Sequence, residues 1–340
     1  MKVIKTIFYL IFVFFVVIII TLYLYFEKSI NTKYKSFEGS KVINIERGSS
    51  ISRISKILER EGIIKNSDLF VIVYKLYYRG KVINAGEFKF EKPLSIMEVL
   101  KKLTTEYGIM VSFTIKEGDS IFDIGERLEN EGLFKEKHFI EFVKKNTYFI
   151  GDMAPDAKSL EGYLFPDTYK FSKGIELRKL VSIFIDNFRK NFFPIWNRRP
   201  KEYKFSISET ITLASLIEKE TSSSEERGLI SSVFHNRLRR GMLLQCDPTF
   251  IYALKLDGKW RGKIGYKEIK YNSPYNTYLY KGLPPGPISN PGLESIKAAI
   301  YPKKTKYLYF VSKNDGTHYF SKSLKEHNRA VYNYQIKRIK

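Results

Sequence analysis

The hydrophobic pattern opens with one long apolar segment. Ile7 to Phe26 is 20 residues with nothing more polar than threonine and tyrosine. As a helix this segment is roughly 30 Å long, which matches the hydrocarbon core of a bilayer. It runs straight into Glu27 and Lys28 without the small residues that end a signal peptide, so the pattern predicts an uncleaved transmembrane anchor.

The lysines around this segment do not settle its orientation, since two precede it and three follow: Lys2, Lys5, Lys28, Lys33 and Lys35. A short segment before the span still favours a cytoplasmic tail and export of the remainder. We therefore expect residues 1–28 to form the tail and the anchor, and the polar residues 29–40 to form a tether.

Beyond this tether the apolar pattern repeats, since the sequence of residues 42–65 aligns with that of residues 112–135. Each copy predicts a short strand ending at Gly48 or Gly118, a serine-capped helix with apolar residues at three- and four-residue steps, and a second helix. Matches at one fixed offset indicate two copies of one unit. This strand, helix, helix unit resembles the LysM-like module of peptidoglycan-binding proteins, which implies a LysM-like α/β repeat region over residues 41–146.

The second half of the chain predicts further helices and one hairpin. Ser206-x-x-Glu209 forms a capping box before an apolar run. Other helices and the hairpin are expected at Leu177–Phe193, 223–240 and Leu293–Ile300, and between 306–312 and 317–321. The expected fold class is α+β, with a mixed α+β catalytic domain over residues 147–340.

Composition adds a strong positive charge, with 58 Lys and Arg against 36 Asp and Glu and a net charge of +22. This charge favours anionic partners such as nucleic acid, phospholipid headgroups or acidic wall polymers. An exported domain without a recognisable nucleic-acid motif argues against nucleic acid. The single cysteine, Cys246, excludes an intrachain disulfide, and no His-x-x-x-His pair or Cys cluster indicates a metal, so neither metal nor cofactor is expected.

The stretch LASLIEKET (213–221) places two glutamates at the end of an apolar helical face. Side chains two positions apart on a helix point about 200° apart, so we expect one site to use only one of them. Glu218 follows Ala214 by one turn, whereas Glu220 lies near the fraying end, so the face favours Glu218 as the enclosed carboxylate. Burial raises the pKa of a carboxyl toward neutrality, as a general acid near pH 7 requires. From these residues alone, a solvated glutamate is the commoner case.

Eight blocks in a fixed order make a more specific signal: LASLIEKET (213–221), SVFHNRL (232–238), LQCDPT (244–249), SPYNTY (273–278), GLPPGPISNPG (282–292), SIKAAIYP (295–302), YLYFVSKNDGTHYF (307–320) and LKEHNRAV (324–331). With the upstream SLEGYLFPDTYKF (159–171), they resemble the blocks of the endolytic murein transglycosylases, the MltG or YceG-like family, over essentially the whole chain. Cys246 stands where that family usually has a hydroxyl residue, which puts only a hydrogen bond of that side chain in doubt.

The resemblance implies a membrane-anchored lytic transglycosylase. It would cleave the β-1,4 bond between N-acetylmuramic acid and N-acetylglucosamine in nascent glycan strands and leave a 1,6-anhydro end. The family's catalytic glutamate falls on Glu218, which acts first as general acid and then as base toward the sugar's own 6-hydroxyl. The implied partners are peptidoglycan strands and the membrane, with peptidoglycan synthases left open. The implied location is the cytoplasmic (inner) membrane, crossed once, with the catalytic domain on its outer side.

Polar and aromatic residues in these blocks are candidates for sugar binding, because ring faces and amides suit a sugar cleft. The candidates are Gln245, Asp247, Tyr275, Asn276, Tyr278 and His318. Ordinary packing stays open for the tyrosines, a helix N-cap for Asp247 and a structural role for His318. The prolines and glycines of residues 282–292 predict a rigid loop beside the cleft.

Two rival functions remain open from the sequence. A hydrolytic muramidase would use Asp247 or Asp167 as a second carboxylate and leave reducing ends. A non-catalytic peptidoglycan-binding scaffold would depend on the LysM-like repeats, and a Glu218→Gln variant would then keep its full cellular function.

Overall fold

The computed structural model describes residues 2–46, 48–106 and 108–337. These residues form two compact units. The first holds the chain up to Ser112 together with Lys170–Ile175, and the second holds Phe113–Tyr169 together with the chain from Glu176 onward. Both combine helices with short paired strands, which confirms the predicted α+β class. The second copy of the repeat therefore lies almost entirely in the second unit, and the functional division at residue 146 stays a prediction.

The N-terminal apolar segment is a helix, α1 (Lys2–Asn31), which is longer than predicted. An 18-residue window within Lys5–Asn31 has a mean hydropathy of 3.0 and none of that window is buried, so by length and composition this helix is a candidate membrane span. Part of the predicted tether, residues 29–40, packs on the first unit, and its role as a tether stays a prediction. Ile30 is buried and the backbone of Tyr34 pairs with that of Leu94, because apolar side chains such as Phe37 pack on the core of the first unit.

The first unit also contains two strands and three helices: β1 (Lys41–Ile45), α2 (Ile51–Arg60), α3 (Ser67–Tyr77), β2 (Gly86–Phe90) and α4 (Ile96–Thr105). The strands pair antiparallel with Ile43 opposite Phe88. Alternate side chains of both strands are buried, and they form one core with Leu58 of α2 and Val99 of α4. This is the two-residue period of a sheet with one covered face.

The elements from β3 onward are, in chain order, β3 (Met110–Ile115), α5 (Ile121–Asn130), α6 (Glu136–Lys145), β4 (Asp167–Ser172), α7 (Leu177–Trp196), α8 (Ile207–Glu220), α9 (Ser224–Arg239), α10 (Asp247–Leu256), α11 (Tyr266–Ile269), α12 (Leu293–Ile300), β5 (Tyr309–Ser312), β6 (His318–Ser321) and α13 (Leu324–Val331). A 3₁₀ turn covers Thr147–Ile150 and a π-helical turn covers Tyr332–Ile336. β3 pairs with β4, and β5 pairs with β6. The last pair confirms the predicted hairpin.

The internal repeat is confirmed as a repeat of structure. α2 and α5 begin and end at matched positions of the two copies. Ser50 and Ser120 cap these helices by accepting a backbone N–H three residues on. Gly48 and Gly118 precede them with φ of 77° and 79°, a conformation that favours glycine. The likeness of this unit to LysM modules stays a prediction.

The helix that carries Glu218 crosses the core of the second unit. The predicted capping box of Ser206 and Glu209 is present at its start. Residues 210–217 are all buried, and α12 packs against both α8 and α9. The first and last turns of α8 lie outside the core, and Glu218 and Glu220 are at the end of a helix whose middle is buried.

Candidate active site

Glu218 lies in the last turn of α8, with its side chain 5% exposed. Its Oε1 accepts a hydrogen bond from Arg227 Nη2 at 3.1 Å, and its Oε2 accepts one from the backbone N–H of Gly292 at 2.8 Å. Glu218 is thus an enclosed carboxylate, as its helical face indicated. Both contacts stabilise the charged form of the side chain.

Glu218 borders a cavity of about 450 Å³, which we call the Glu218 cavity; its lining is Glu117, Gly118, Glu218, Lys219, Glu220, Thr221, Ser222 and Arg227. Glu220 is also part of this lining, and the assignment of catalysis to Glu218 alone stays a prediction. α8 ends at Glu220 and Thr221 is extended (φ −151°), so the chain wraps around the open end of the helix.

Arg227 is a residue of this cavity that sequence reasoning missed. It lies in the first turn of α9, and it is only 8% exposed. Its Nη2 is 3.1 Å from Glu218 and 3.6 Å from Glu117 Oε2, while its buried Nε finds no hydrogen-bond partner among the described residues. The serine-rich corner between the two helices was a usable signal, since so short a connection places the start of α9 beside the end of α8.

Glu117 was also missed, because it is 101 positions before Glu218 in the turn from β3 to α5. Its side chain is 51% exposed. Partial burial, together with the negative charge of Glu218, raises the pKa of Glu117. A Cβ atom at Gly292 would lie 1.9 Å from Glu117 Oε1, so the glycine leaves the space that this carboxylate occupies.

The loop of residues 282–292 lies beside Glu218, where the sequence predicted it, and Asn290 holds it there. Asn290 Nδ2 donates to the backbone oxygen of Asp119 at 2.9 Å and to Glu161 Oε1 at 3.1 Å. Its Oδ1 accepts from the backbone N–H of Leu164 at 2.9 Å. One buried amide therefore joins three chain segments and fixes the Gly292 N–H that points at Glu218.

Glu161 is the buried centre of this arrangement. Its carboxyl accepts hydrogen bonds from the backbone N–H of Ile121 at 3.0 and 3.2 Å, at the positive end of α5. Burial raises the pKa of Glu161 to about 8 despite these bonds. Its contacts give it a role in holding the fold around the cavity.

Glu220 belongs to a second group of polar side chains, the Glu220 cluster: Glu220, Arg237, Cys246, Asp247, Tyr278 and His318. Burial raises the pKa of Glu220 to about 7, although a hydrogen bond with Cys246 acts in the opposite direction. The hydroxyl of Tyr278 donates to Asp247, and His318 Nδ1 lies 2.7 Å from Glu226 Oε2. The near-neutral pKa expected of an enclosed glutamate in this stretch is therefore found at Glu220.

Gln245 and Asp247 flank the start of α10. Gln245 has a positive φ of 53° and its Oε1 accepts from Arg237 Nη1 at 3.3 Å. Asp247 is the first helical residue and Cys246 holds the cap position, so the alternative of Asp247 as N-cap is wrong by one residue. Arg237 also donates to three backbone oxygens, those of Leu243, Leu244 and Leu308, and so orders the chain around both side chains.

Asn276 and Tyr275 are placed differently. Asn276 is fully buried; its amide nitrogen donates to the backbone oxygens of Ile269 and Tyr271, both at 2.8 Å, and these bonds account for it without a ligand. Tyr275 packs on Tyr252 with ring centroids 5.2 Å apart. Burial and the charge of Glu161 raise the pKa of Tyr275 to about 12. These two residues lie outside the lining of the Glu218 cavity.

A metal site is not evident in the described part of the chain, where no group of three or more His, Cys, Asp or Glu side chains could hold an ion. The polar side chains of the cavity are three carboxylates, one arginine, one lysine and the hydroxyls of Thr221 and Ser222. This set is suited to proton transfer at an oxygen atom.

Comparisons with known proteins agree on one family. Residues 43–333 match the sequence model of the YceG-like family, and the chain belongs to that family. The endolytic murein transglycosylase of Bacillus subtilis is 35% identical over 329 residues, which is 92% of this chain and 89% of that protein. The endolytic murein transglycosylase of Streptococcus pneumoniae D39 is 30% identical over 85% of this chain, which spans 57% of that longer relative.

A solved structure extends the comparison to the fold. The 2.6 Å crystal structure of a YceG-like protein from Listeria monocytogenes superposes with a TM-score of 0.57 at 32% sequence identity. The match covers 86% of this chain and 99% of that one.

Proposed function

We propose that this protein is an endolytic murein transglycosylase that cuts the β-1,4 bond between N-acetylmuramic acid and N-acetylglucosamine and leaves 1,6-anhydro ends. Family membership and the names of its relatives support the activity. The observation that carries the assignment of the site is Glu218, a carboxylate with a 5% exposed side chain at the edge of a cavity of about 450 Å³.

The reaction needs one proton and returns it. Protonated Glu218 donates its proton to the glycosidic oxygen as the bond to the anomeric carbon breaks. The carboxylate then takes the proton of the 6-hydroxyl while that oxygen closes on the anomeric carbon, so no water is consumed. The 6-hydroxyl belongs to the same sugar as the anomeric carbon and is therefore already close to it. No bound water has to be positioned for the attack. Between the two steps, Arg227 and the Gly292 N–H stabilise the carboxylate.

Sugar binding is proposed for the residues that gather around the open end of α8. The Glu220 cluster contains Asp247, Tyr278 and His318, and Gln245 is joined to it through Arg237. Asn276 and Tyr275 act on this surface indirectly, by holding the loop that carries Tyr278, whose backbone N–H donates to Asn276 at 3.0 Å.

We further propose that α1 anchors the protein in the cytoplasmic membrane, with both compact units on the outer side. The apolar composition of α1 supports the anchor. An outer location would give the second unit access to peptidoglycan, and the net charge of +22 suits an acidic wall polymer. LysM-like glycan binding by the repeats and contacts with peptidoglycan synthases remain parts of this proposal.

A hydrolytic muramidase is the second candidate, and one observation favours it. Glu117 shares Arg227 with Glu218, and a hydrolase needs a second carboxylate within about 5–9.5 Å of the acid. Asp167, the second carboxylate suggested by the sequence, accepts instead from Asn187 and lies outside the cavity lining of the described chain. The two reactions differ in their product, since an anhydro end is one water lighter than a reducing end.

The test uses the full-length protein in detergent with purified glycan strands and mass spectrometry of the products. The wild type should give anhydro ends, and Glu218→Gln should lower the rate by about 10²- to 10⁴-fold, the usual contribution of a general acid. Glu141→Gln, an exposed glutamate of α6, is the matched control and should cut at the wild-type rate. Reducing ends would favour the hydrolase, and undiminished cutting by Glu218→Gln would contradict the role of Glu218.

A further inference from the structure

One guanidinium nitrogen lies between two carboxylates in the Glu218 cavity. Arg227 Nη2 is 3.1 Å from Glu218 Oε1 and 3.6 Å from Glu117 Oε2. The two contacts are unequal, because the side chain of Glu218 is 5% exposed and that of Glu117 is 51% exposed. Glu218 thus makes the shorter, drier ion pair, and Glu117 makes a longer one that water screens.

The chain fixes Glu117 in this position from two sides. The next residue, Gly118, donates its backbone N–H to the backbone oxygen of Asn290 at 2.9 Å. The Glu117 carboxylate lies over Gly292, where any Cβ would collide with it. The same Gly292 donates its N–H to Glu218. A residue without a side chain at 292 therefore permits both the amide contact to Glu218 and the approach of Glu117.

Electrostatics gives Glu117 a consequence for the proposed reaction. An arginine paired with a single carboxylate favours the charged form, which opposes the protonation that Glu218 needs as an acid. A second negative charge on the same arginine weakens this preference. The charged groups that act on Glu117 are Arg227, Glu218 and Glu294. Lys219 and Glu220 also line the cavity, and Lys219 Nζ donates to the backbone oxygen of Gly118 at 3.2 Å.

We propose that Glu117 is a positioning residue, which shares Arg227 with Glu218 and thereby weakens the hold of Arg227 on the Glu218 carboxylate. This inference rests on the proposed transglycosylase function. Glu117 acts through Arg227 and needs no contact with the sugar. Its effect is therefore on the pH dependence of catalysis and not on substrate affinity.

The test is the pH profile of glycan cleavage by full-length Glu117→Gln, which keeps the shape of the side chain and removes its charge. We expect the alkaline limb of kcat to move down by roughly 0.5–1 pH unit, a like-charge effect reduced by exposure. At pH 7 kcat should fall about three- to tenfold, since one unit corresponds to a factor of ten. KM should change by less than about twofold, and the product should keep its anhydro end.

Glu294→Gln is the matched control. It removes a neighbouring carboxylate that pairs with Lys297 at 2.7 Å and does not contact Arg227 in the described structure, so its profile should follow the wild type. Thermal melting checks that both variants are folded, and half-exposed positions such as 117 usually change stability little.

The possible outcomes distinguish a failure of the role of Glu117 from a failure of the proposed transglycosylase function. A wild-type pH profile for Glu117→Gln overturns the positioning role while anhydro products from the wild type uphold the function. Complete loss of cutting by a folded Glu117→Gln also overturns it, because Glu117 would then take part in bond cleavage. Reducing ends from the wild type itself contradict the transglycosylase function and this inference together.

Discussion

The two copies of the repeat show how one local fold can serve two purposes. α2 and α5 have the same length, the same serine cap and the same glycine turn before them. Only the second copy has its turn at the Glu218 cavity, through Glu117 and Gly118. The apolar positions that form the unit are shared, whereas the polar residues that reach the site are not.

Matched positions make this difference explicit. Glu117 and Asp119 of the second copy stand where the first copy has Arg47 and Ser49 in its sequence. Asp119 forms a two-point ion pair with Arg127, at 2.7 and 3.1 Å, and its backbone oxygen accepts from Asn290. The two copies therefore share the course of the first helix and differ in the polar residues of the turn before it.

The largest effect is expected when Asn290, whose side chain holds the turn of the second copy in place, is replaced. Asn290→Ala deprives the turn of its amide partner, Glu161 of a donor and the Leu164 N–H of its acceptor. Unfolding free energy should fall by about 3 kcal/mol, because several buried groups lose partners together. Asn84→Ala in the first unit loses one half-exposed bond and should cost at most about 0.5 kcal/mol in the same chemical denaturation experiment. Equal losses would contradict the role of Asn290 in holding the turn of the second copy.

The next largest effect is expected when the charge at position 117, which differs between the two copies, is reversed. Glu117→Arg gives the second copy the residue type of the first and places another cation beside Arg227. Glycan cleavage at pH 7 should fall on the order of 10- to 100-fold, because both arginines would hold Glu218 as a carboxylate. The rate is measured by release of anhydro ends, and a fall smaller than that of Glu117→Gln would argue against a charge effect.

Two carboxyl groups, one in each unit, have pKa values shifted in opposite directions. In the first unit, the Ser95 backbone N–H lowers the pKa of Glu98, whereas in the second unit burial raises the pKa of Glu220 from 4.5 to about 7. A raised folded pKa means that the stability contribution of Glu220 is complete below pH 4.5 and is lost as the pH rises through 7.

Between pH 4 and pH 8, the wild type should therefore lose about 3 kcal/mol of unfolding free energy relative to Glu220→Gln. Glu98→Gln should show the opposite sign, with the wild-type advantage disappearing as the pH falls. Denaturation curves at several pH values measure both, and the same sign for the two variants would refute the contrast.

The smallest effect is expected at the glycine that both copies have before their first helix. Gly48→Ala and Gly118→Ala should each cost about 1 kcal/mol, because both glycines have φ near 78°. A methyl group at 118 would touch Glu218 Cγ at 3.6 Å, whereas at 48 no described atom lies within 4 Å. Cleavage should fall, by about threefold, only for Gly118→Ala, and an equal fall for both would contradict the asymmetry.

The sequence predicted the parts of this structure that depend on local patterns. The repeated unit, the Ser206 capping box and the C-terminal hairpin follow from periodicity and cap signals within short segments, whereas the residues alone made a solvated Glu218 the commoner case. Arg227, Glu117 and the N–H of Gly292 were not predicted as partners of Glu218, because segments far apart in the sequence meet there only after the helices pack. The raised pKa of Glu220 was not predicted either, because its burial depends on packing with Cys246 and His318 from distant segments.

The central claim is that Glu218 drives closure of the sugar's own 6-hydroxyl on the anomeric carbon. Digestion of glycan strands by the full-length protein in ¹⁸O-labelled water tests it most directly. The account predicts anhydro ends that contain no ¹⁸O from the wild type, and almost no new ends from Glu218→Gln. One ¹⁸O atom in each new muramic acid end, or normal cutting without Glu218, would contradict it.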